Sequence, residues 1–127
     1  MINYDDARGA CEAYLSALVA KDVDAIVDLY ADDATVEDPV GTEVLSGSAA
    51  IRAFYAEAVG GVQDACMTGQ PRLAGSEVAF PFQVTAGQPG QAVVINIIDV
   101  FRFNASGKIT SMRAFWGAEN FGQQDKG

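Results

Sequence analysis

Histidine is missing from the 127 residues of this chain. Its absence excludes Ser-His-Asp and Cys-His catalysis and most transition-metal sites. Acid–base chemistry near neutral pH would have to run on carboxylates, tyrosines or lysines with shifted pKa values. Basic residues are scarce too: 8 Lys+Arg stand against 17 Asp+Glu, a formal net charge of −9. Phosphate binding needs a basic stripe, so no nucleic-acid partner is expected. Docking on an anionic membrane is not expected either. No apolar run approaches the roughly 18 residues of a spanning helix, so no membrane segment is expected. Cysteine is limited to Cys11 and Cys66, with no CxxC pair. Cys11 reads as a small core residue, and nothing points to an oxidising compartment. The acidic start, Met1-Ile2-Asn3-Tyr4-Asp5-Asp6, does not read as a secretion signal, so the cytoplasm is the expected location.

What is present is the balance of a globular protein, 50% hydrophobic and 20% charged. One domain spanning 1–127 is expected, without repeats or linkers. Ala7, Ala10, Cys11, Tyr14, Leu15, Leu18 and Val19 follow helical spacing, with Asn3 or Asp5 as cap. A second helix is expected over Asp22–Tyr30, buried through Ile26, Leu29 and Tyr30, and then a loop over 31–34 and an extended segment over 35–39. A third helix starts near Ser46 or Ser48, carries Ile51, Phe54, Tyr55, Ala58 and Val59, and stops at Gly60-Gly61. The pattern then turns to strands: Glu77–Thr85, Gln91–Phe103 and Lys108–Trp116, separated by turns at 88–90 and 104–107. Pro81 removes a ladder donor, which predicts an edge strand or a bulge there. The tail from Gly122 onward reads as frayed. Helices first and strands after predict an α+β fold, three helices packed on a curved, mostly antiparallel sheet.

The long strand contains the residue least at home. Every second position reads Val93, Ile95, Ile97, Asp99, Phe101, Phe103, which puts Asp99 inside an apolar row. The opposite row, Val94, Asn96, Ile98, Val100, Arg102, is also largely apolar. A strand of this kind is expected to be covered on both faces, by helices on one and a second subunit on the other. Asp99 has two readings. It is a structural carboxylate paired with Arg102 or Arg113, or it is a carboxyl that desolvation keeps protonated, able to donate a hydrogen bond. Tyr14, Tyr30 and Tyr55 fall on three helix faces turned toward one sheet. They are core residues with solvated hydroxyls, or they form a linked hydrogen-bond chain. Asp38 shares a side with Val36 and precedes Pro39, so it faces inward while Glu37 faces out. The Asp38–Pro39 bond is a candidate for the cis isomer.

These residues make a pattern. Tyr14, the run Tyr30-Ala31-Asp32-Asp33-Ala34-Thr35-Val36-Glu37-Asp38-Pro39-Val40-Gly41, the pair Phe54-Tyr55, Ile98-Asp99-Val100-Phe101-Arg102-Phe103 and Met112-Arg113-Ala114-Phe115-Trp116 together resemble the bacterial ketosteroid isomerases of the NTF2-like superfamily. The resemblance covers about Tyr14 to Asn120. It implies a conical α+β fold, a homodimer, and an apolar pocket for a 3-oxo-Δ5-steroid. It implies that Asp38 is the base carrying a proton from C4 to C6. It implies that Tyr14 and a protonated Asp99 form an oxyanion hole at O3, with Tyr30 and Tyr55 supporting Tyr14. Ketosteroid isomerases are themselves a known instance of a carboxylic acid kept neutral by an apolar site, so the protonated Asp99 comes with the resemblance. Phe82, Met112 and Trp116 match positions lining the steroid. No cofactor or metal is implied. Cys66-Met67-Thr68 and the loop Ala86–Gly90 fall outside the matched pattern.

Two other classes are kept beside this one. The first is a non-catalytic carrier of a hydrophobic ligand on the same fold. The second is an epoxide hydrolase or polyketide cyclase. A hydrolase would want an Asp–Arg–Asp set around a water, and alternation points Arg113 away from Met112 and Trp116. A cyclase of this kind often uses a histidine, which the chain lacks.

Overall fold

The computed structural model describes residues 1–123. Three helices, α1 (Tyr4–Ala20), α2 (Val23–Asp28) and α3 (Ser48–Ala58), pack against an open eight-stranded sheet. The strands are β1 (Tyr30–Glu37), β2 (Leu45–Ser46), β3 (Val62–Met67), β4 (Arg72–Ala74), β5 (Glu77–Ala86), β6 (Val93–Phe103), β7 (Ile109–Phe115) and β8 (Phe121–Gln123). Their order is β2-β1-β7-β6-β5-β3, with β4 joined to β5 and β8 to β6. Among the described residues only β1 and β7 run parallel; every other pairing is antiparallel. The expected α+β layering is present.

Caps fix the helix ends. The Asn3 side chain accepts from the Asp6 amide at 2.8 Å and starts α1; Asp22 accepts from Ala25 at 3.0 Å and starts α2. α1 ends at Lys21 in the left-handed region, and its Nζ donates to the carbonyls of Val59 and Val62 at 2.8 and 2.6 Å. That bond ties the end of α1 to the strand that opens after α3. Ala7, Cys11, Tyr14, Leu15 and Leu18 bury the inner side of α1 in one cluster with Phe80, Phe82, Phe101 and Phe103. Each large side chain so buried contributes roughly 1.5–3 kcal/mol by transfer alone.

Several expectations change. α2 stops at Asp28, and Tyr30 opens β1 instead of ending a helix. Residues 31–34, expected as a loop, belong to that strand. Their exposed pair Asp32-Asp33 has loop-like composition, and the β1–β7 register shifts there, between Tyr30 and Thr35. Pro81 is on neither an edge nor a bulge: β5 pairs with β6 without a break from Glu77 to Ala86. The Pro81 carbonyl accepts from Thr68 at 3.0 Å, on the side where β3 has ended and β4 has not begun. One step beyond the Met67–Phe82 pair, Thr68 donates to Pro81 and Pro81 has no N–H to return the bond, so the β3 ladder ends there. Gly122 and Gln123, expected as frayed, pair with β6; the remaining tail, 124–127, lies outside the described residues.

The two faces of β6 differ. On the helix side Asp99, Phe101 and Phe103 are buried. On the other side Asn96, Ile98 and Arg102 are exposed, with Ile98 at 47% and Phe115 of β7 at 41%. Within one chain this second face is open at Asn96, Ile98 and Arg102, while Val94 on the same row is buried.

Candidate active site

A cavity of about 240 Å³ opens between the helices and the sheet. Tyr14 and Leu18 enter it from α1, and Phe54, Tyr55 and Ala58 from α3. The sheet supplies Val62, Phe82, Val84, Ala86, Ile95, Ile97 and Asp99, and the ends of β1 and β7 supply Asp38 and Trp116. The polar groups in this lining are two carboxyls, two phenols and an indole; the rest is apolar. A larger open groove of about 790 Å³ lies between the outer side of α1 and the β3–β4 connection. Its lining holds no buried carboxyl or phenol, so the site chemistry belongs to the smaller cavity.

Asp99 sits opposite Phe80 on β5 and Ala114 on β7. It is 1% exposed, and neither carboxyl oxygen has a hydrogen-bond partner among the described residues. The pairing with arginine does not occur. Arg102 pairs with Glu77 at 3.3 Å and Arg113 with Glu37 at 3.4 Å, both on the opposite face of the sheet. Arg102 is three residues from Asp99 on β6, and Arg113 is next to Asp99's partner Ala114 on β7, so alternation turns both away from it. Burial therefore pushes the Asp99 carboxyl well above the usual carboxylate range, and the nearby Asp38 carboxyl pushes it further. That shift favours the neutral acid, the form whose O–H can donate to a ligand.

The phenols do form a chain. Tyr55 Oη lies 2.9 Å from Tyr14 Oη and 2.7 Å from Tyr30 Oη, with all three rings buried. A hydroxyl has one proton to donate. If Tyr30 donates to Tyr55 and Tyr55 to Tyr14, the Tyr14 proton is left free to point into the cavity. Burial raises all three phenols well above their ordinary pKa, so each stays protonated. The Tyr14 ring is fixed edge-on against Phe101 at 5.2 Å and against Tyr55 at 6.0 Å.

Asp38 follows the last residue of β1 and is only half-buried. Its Oδ1 accepts a hydrogen bond from Trp116 Nε1 at 2.8 Å. Burial raises its pKa, and the indole N–H opposes that rise by favouring the carboxylate. The Asp38–Pro39 bond is cis. The cavity thus combines a carboxyl at its rim, Asp38, with a phenol, Tyr14, and a second carboxyl, Asp99, in its depth. That set can take a proton from carbon and steady negative charge on oxygen.

Of the three residues matched to steroid-lining positions, Phe82 and Trp116 line this cavity and Met112 does not. Met112 is fully buried at mid-β7, paired with Phe101 and Val36 in the core, and Trp116 lies farther along, where the cavity opens. Sequence reasoning did not place Leu18, Phe54, Val62, Val84, Ile95 and Ile97 in the lining. Ile95 and Ile97 share the alternating row with Asp99, which was a usable signal. The Trp116–Asp38 bond joins residues far apart in sequence and left no local trace.

Comparison with known proteins agrees with this architecture. The profile of the SnoaL-like domain matches residues 11–112. The chain belongs to the SnoaL-like domain family. Within reach of this SnoaL-like chain is a steroid Delta-isomerase from Nocardioides simplex, 42% identical over 111 residues, 87% of this chain and 89% of that protein. Epoxide hydrolase LasB from Streptomyces lasalocidi is 34% identical over 114 residues, 82% of this chain and 39% of LasB. The SnoaL-like chain therefore spans well under half of LasB. The solved structure of SalBIII, an epoxide hydrolase/cyclase-like enzyme with a role in pyran ring formation in salinomycin, is 32% identical. It aligns at a TM-score of 0.88 over 98% of this chain and 100% of its own.

Proposed function

We propose that this protein is a steroid Δ-isomerase that converts 3-oxo-Δ5-steroids to their 3-oxo-Δ4 isomers. The observation that carries the reading is Asp99: a buried carboxyl without any partner, sharing an apolar cavity with a second carboxyl that is half open. The Asp38 carboxylate removes the proton at C4, and the electron pair moves through the C3 carbonyl to place negative charge on O3. Tyr14 and the Asp99 acid donate hydrogen bonds to that oxygen. The protonated Asp38 then returns the same proton to C6, and the double bond moves from C5–C6 to C4–C5. Nothing is oxidised or reduced overall, and no cofactor takes part. Phe82 and Trp116 flank the flat ligand. Two copies joined through the open Ile98 and Phe115 face make a homodimer, and the cytoplasm is its location.

The relatives named as epoxide hydrolases favour a second reading, water attack on an epoxide. That chemistry would draw on an Asp–Arg–Asp set. No arginine lines the cavity, and Arg113 lies on the other face of the sheet. The isomerase reading is the better supported. Its test is the conversion of 5-androstene-3,17-dione, followed by the ultraviolet absorbance of the conjugated enone formed. Turnover is expected. A protein that binds the steroid without turnover is a carrier, and one that instead opens an epoxide is a hydrolase.

A further inference from the structure

The segment that carries Asp38 is held from outside the cavity as well as from inside. Along β1 the pleat sends Val36 into the core and Glu37 to the opposite face, and Asp38 turns back to the cavity. Beyond Asp38 the chain makes a tight turn. The amide and hydroxyl of Thr42 both donate to the Pro39 carbonyl, at 3.1 and 2.8 Å. Gly41 takes a φ of +104°, where glycine is favoured. The Val40 amide donates to the Ala114 carbonyl at 2.8 Å and ties the turn to β7.

The Glu37 side chain reaches over this turn. Its Oε2 accepts from the Gly41 amide at 2.9 Å. Its Oε1 faces Arg113 Nε at 3.4 Å, and the Arg113 guanidinium lies 5.2 Å from the centre of the Phe115 ring. The Gly41 amide, and after it Arg113, hold the Glu37 carboxyl below its usual range. Glu37 does not line the cavity. The reaction proposed above gives it nothing to do.

We infer that Glu37 is a positioning residue for the base: its carboxylate, braced by Arg113, fixes the Asp38–Thr42 turn and so the reach of the Asp38 carboxylate over the substrate carbons. The inference rests on the isomerase reading. Trp116 steadies one carboxylate oxygen from within, and Glu37 steadies the backbone that carries it. A base that takes a proton at one carbon and returns it at another needs a fixed pivot, because small misplacements cost rate steeply.

Glu37→Ala and Glu37→Gln test this. The glutamine oxygen can still accept from the Gly41 amide; alanine cannot. The alanine variant should lose on the order of tenfold in kcat with KM unchanged, and glutamine should recover most of that loss. Affinity for a phenolic steroid, whose ring oxygen meets Tyr14 and Asp99, should not move in either variant. In an Asp38→Asn background, Glu37→Ala should change the residual rate no further. Amide hydrogen exchange at Gly41 should quicken in the alanine variant.

An alanine variant with wild-type kcat would overturn the inference. So would an equal loss with and without Asp38, since Glu37 would then act elsewhere. Sedimentation and thermal unfolding are run alongside, because Glu37 and Arg113 face the open side of the sheet. A change in assembly or stability that accounts for the rate loss would also overturn it. If the wild-type chain has no isomerase activity, the reading of function fails instead. Gly41 exchange then decides the brace: unchanged exchange overturns it, and faster exchange upholds it.

Discussion

Asp38 and Asp99 are the same residue type at two places in one cavity, and their surroundings divide their work. Asp99 stands at mid-strand in an apolar row, 1% exposed and without a partner. Asp38 stands in a turn at the strand's end, partly exposed to water, with an indole N–H on its carboxyl. Burial raises both pKa values, but only Asp38 has a donor that opposes the rise. The Asp38 carboxyl adds to the rise at Asp99. In the proposed reaction the one with the donor and the solvent is the base, and the one with neither is the acid. Burial and partners, not residue identity, assign the roles.

Asparagine at each position tests this division most sharply, since it is a neutral, near-isosteric side chain. Asp38→Asn should cost the most, because the proton carrier is gone. A loss of at least ~10²–10⁴-fold in kcat is expected, read from enone absorbance. At Asp99 the same change should cost far less, because the amide still donates to O3. Asp99→Ala, which removes the donor, should lose roughly a hundredfold or more. Equal losses for the two asparagine variants would erase the distinction.

Stability should separate them too. A folded-state pKa raised above the unfolded value means that the folded chain holds its proton to higher pH. Stability from that group is then full below the unfolded pKa and falls as pH rises toward the folded one. For Asp99→Asn, which has no proton to lose, the gain in stability over the wild type should grow with pH above the ordinary carboxylate range. Urea unfolding at several pH values measures this. The smallest effect is expected for Trp116→Phe. It removes the donor that favours the Asp38 carboxylate, so the acid limb of kcat/KM should move to higher pH, with a modest loss at the plateau.

Much of this was legible where a periodic pattern carried it. The α1 stripe placed Tyr14 inward, and the two-residue alternation of β6 put Asp99 in an apolar row. Alternation also sent Glu37 and Arg113 outward, where they meet. What escaped was set by tertiary context. β3 and β4 carry little apolar pattern because most of their side chains are exposed or half-buried. Asp32-Asp33 looked like a loop because the strand there is open to water. The resemblance matched Met112 to a lining position, on the face it shares with Trp116, but it is packed in the core at mid-β7. How far a cavity extends along that face is decided by what packs above it. The hydrogen-bond order of the three tyrosines, with Tyr55 in the middle, depends on how α1, α3 and β1 meet.

The central claim is that Asp99 is a neutral acid while Asp38 is a carboxylate in the same cavity. A pH titration of the carboxyl carbons by ¹³C NMR, with Asp38→Asn and Asp99→Asn giving the assignments, tests it directly. The account predicts that at pH 7 the Asp99 signal is still that of a protonated acid and the Asp38 signal that of an ion. Both signals moving together, within the range of exposed carboxyls, would contradict it.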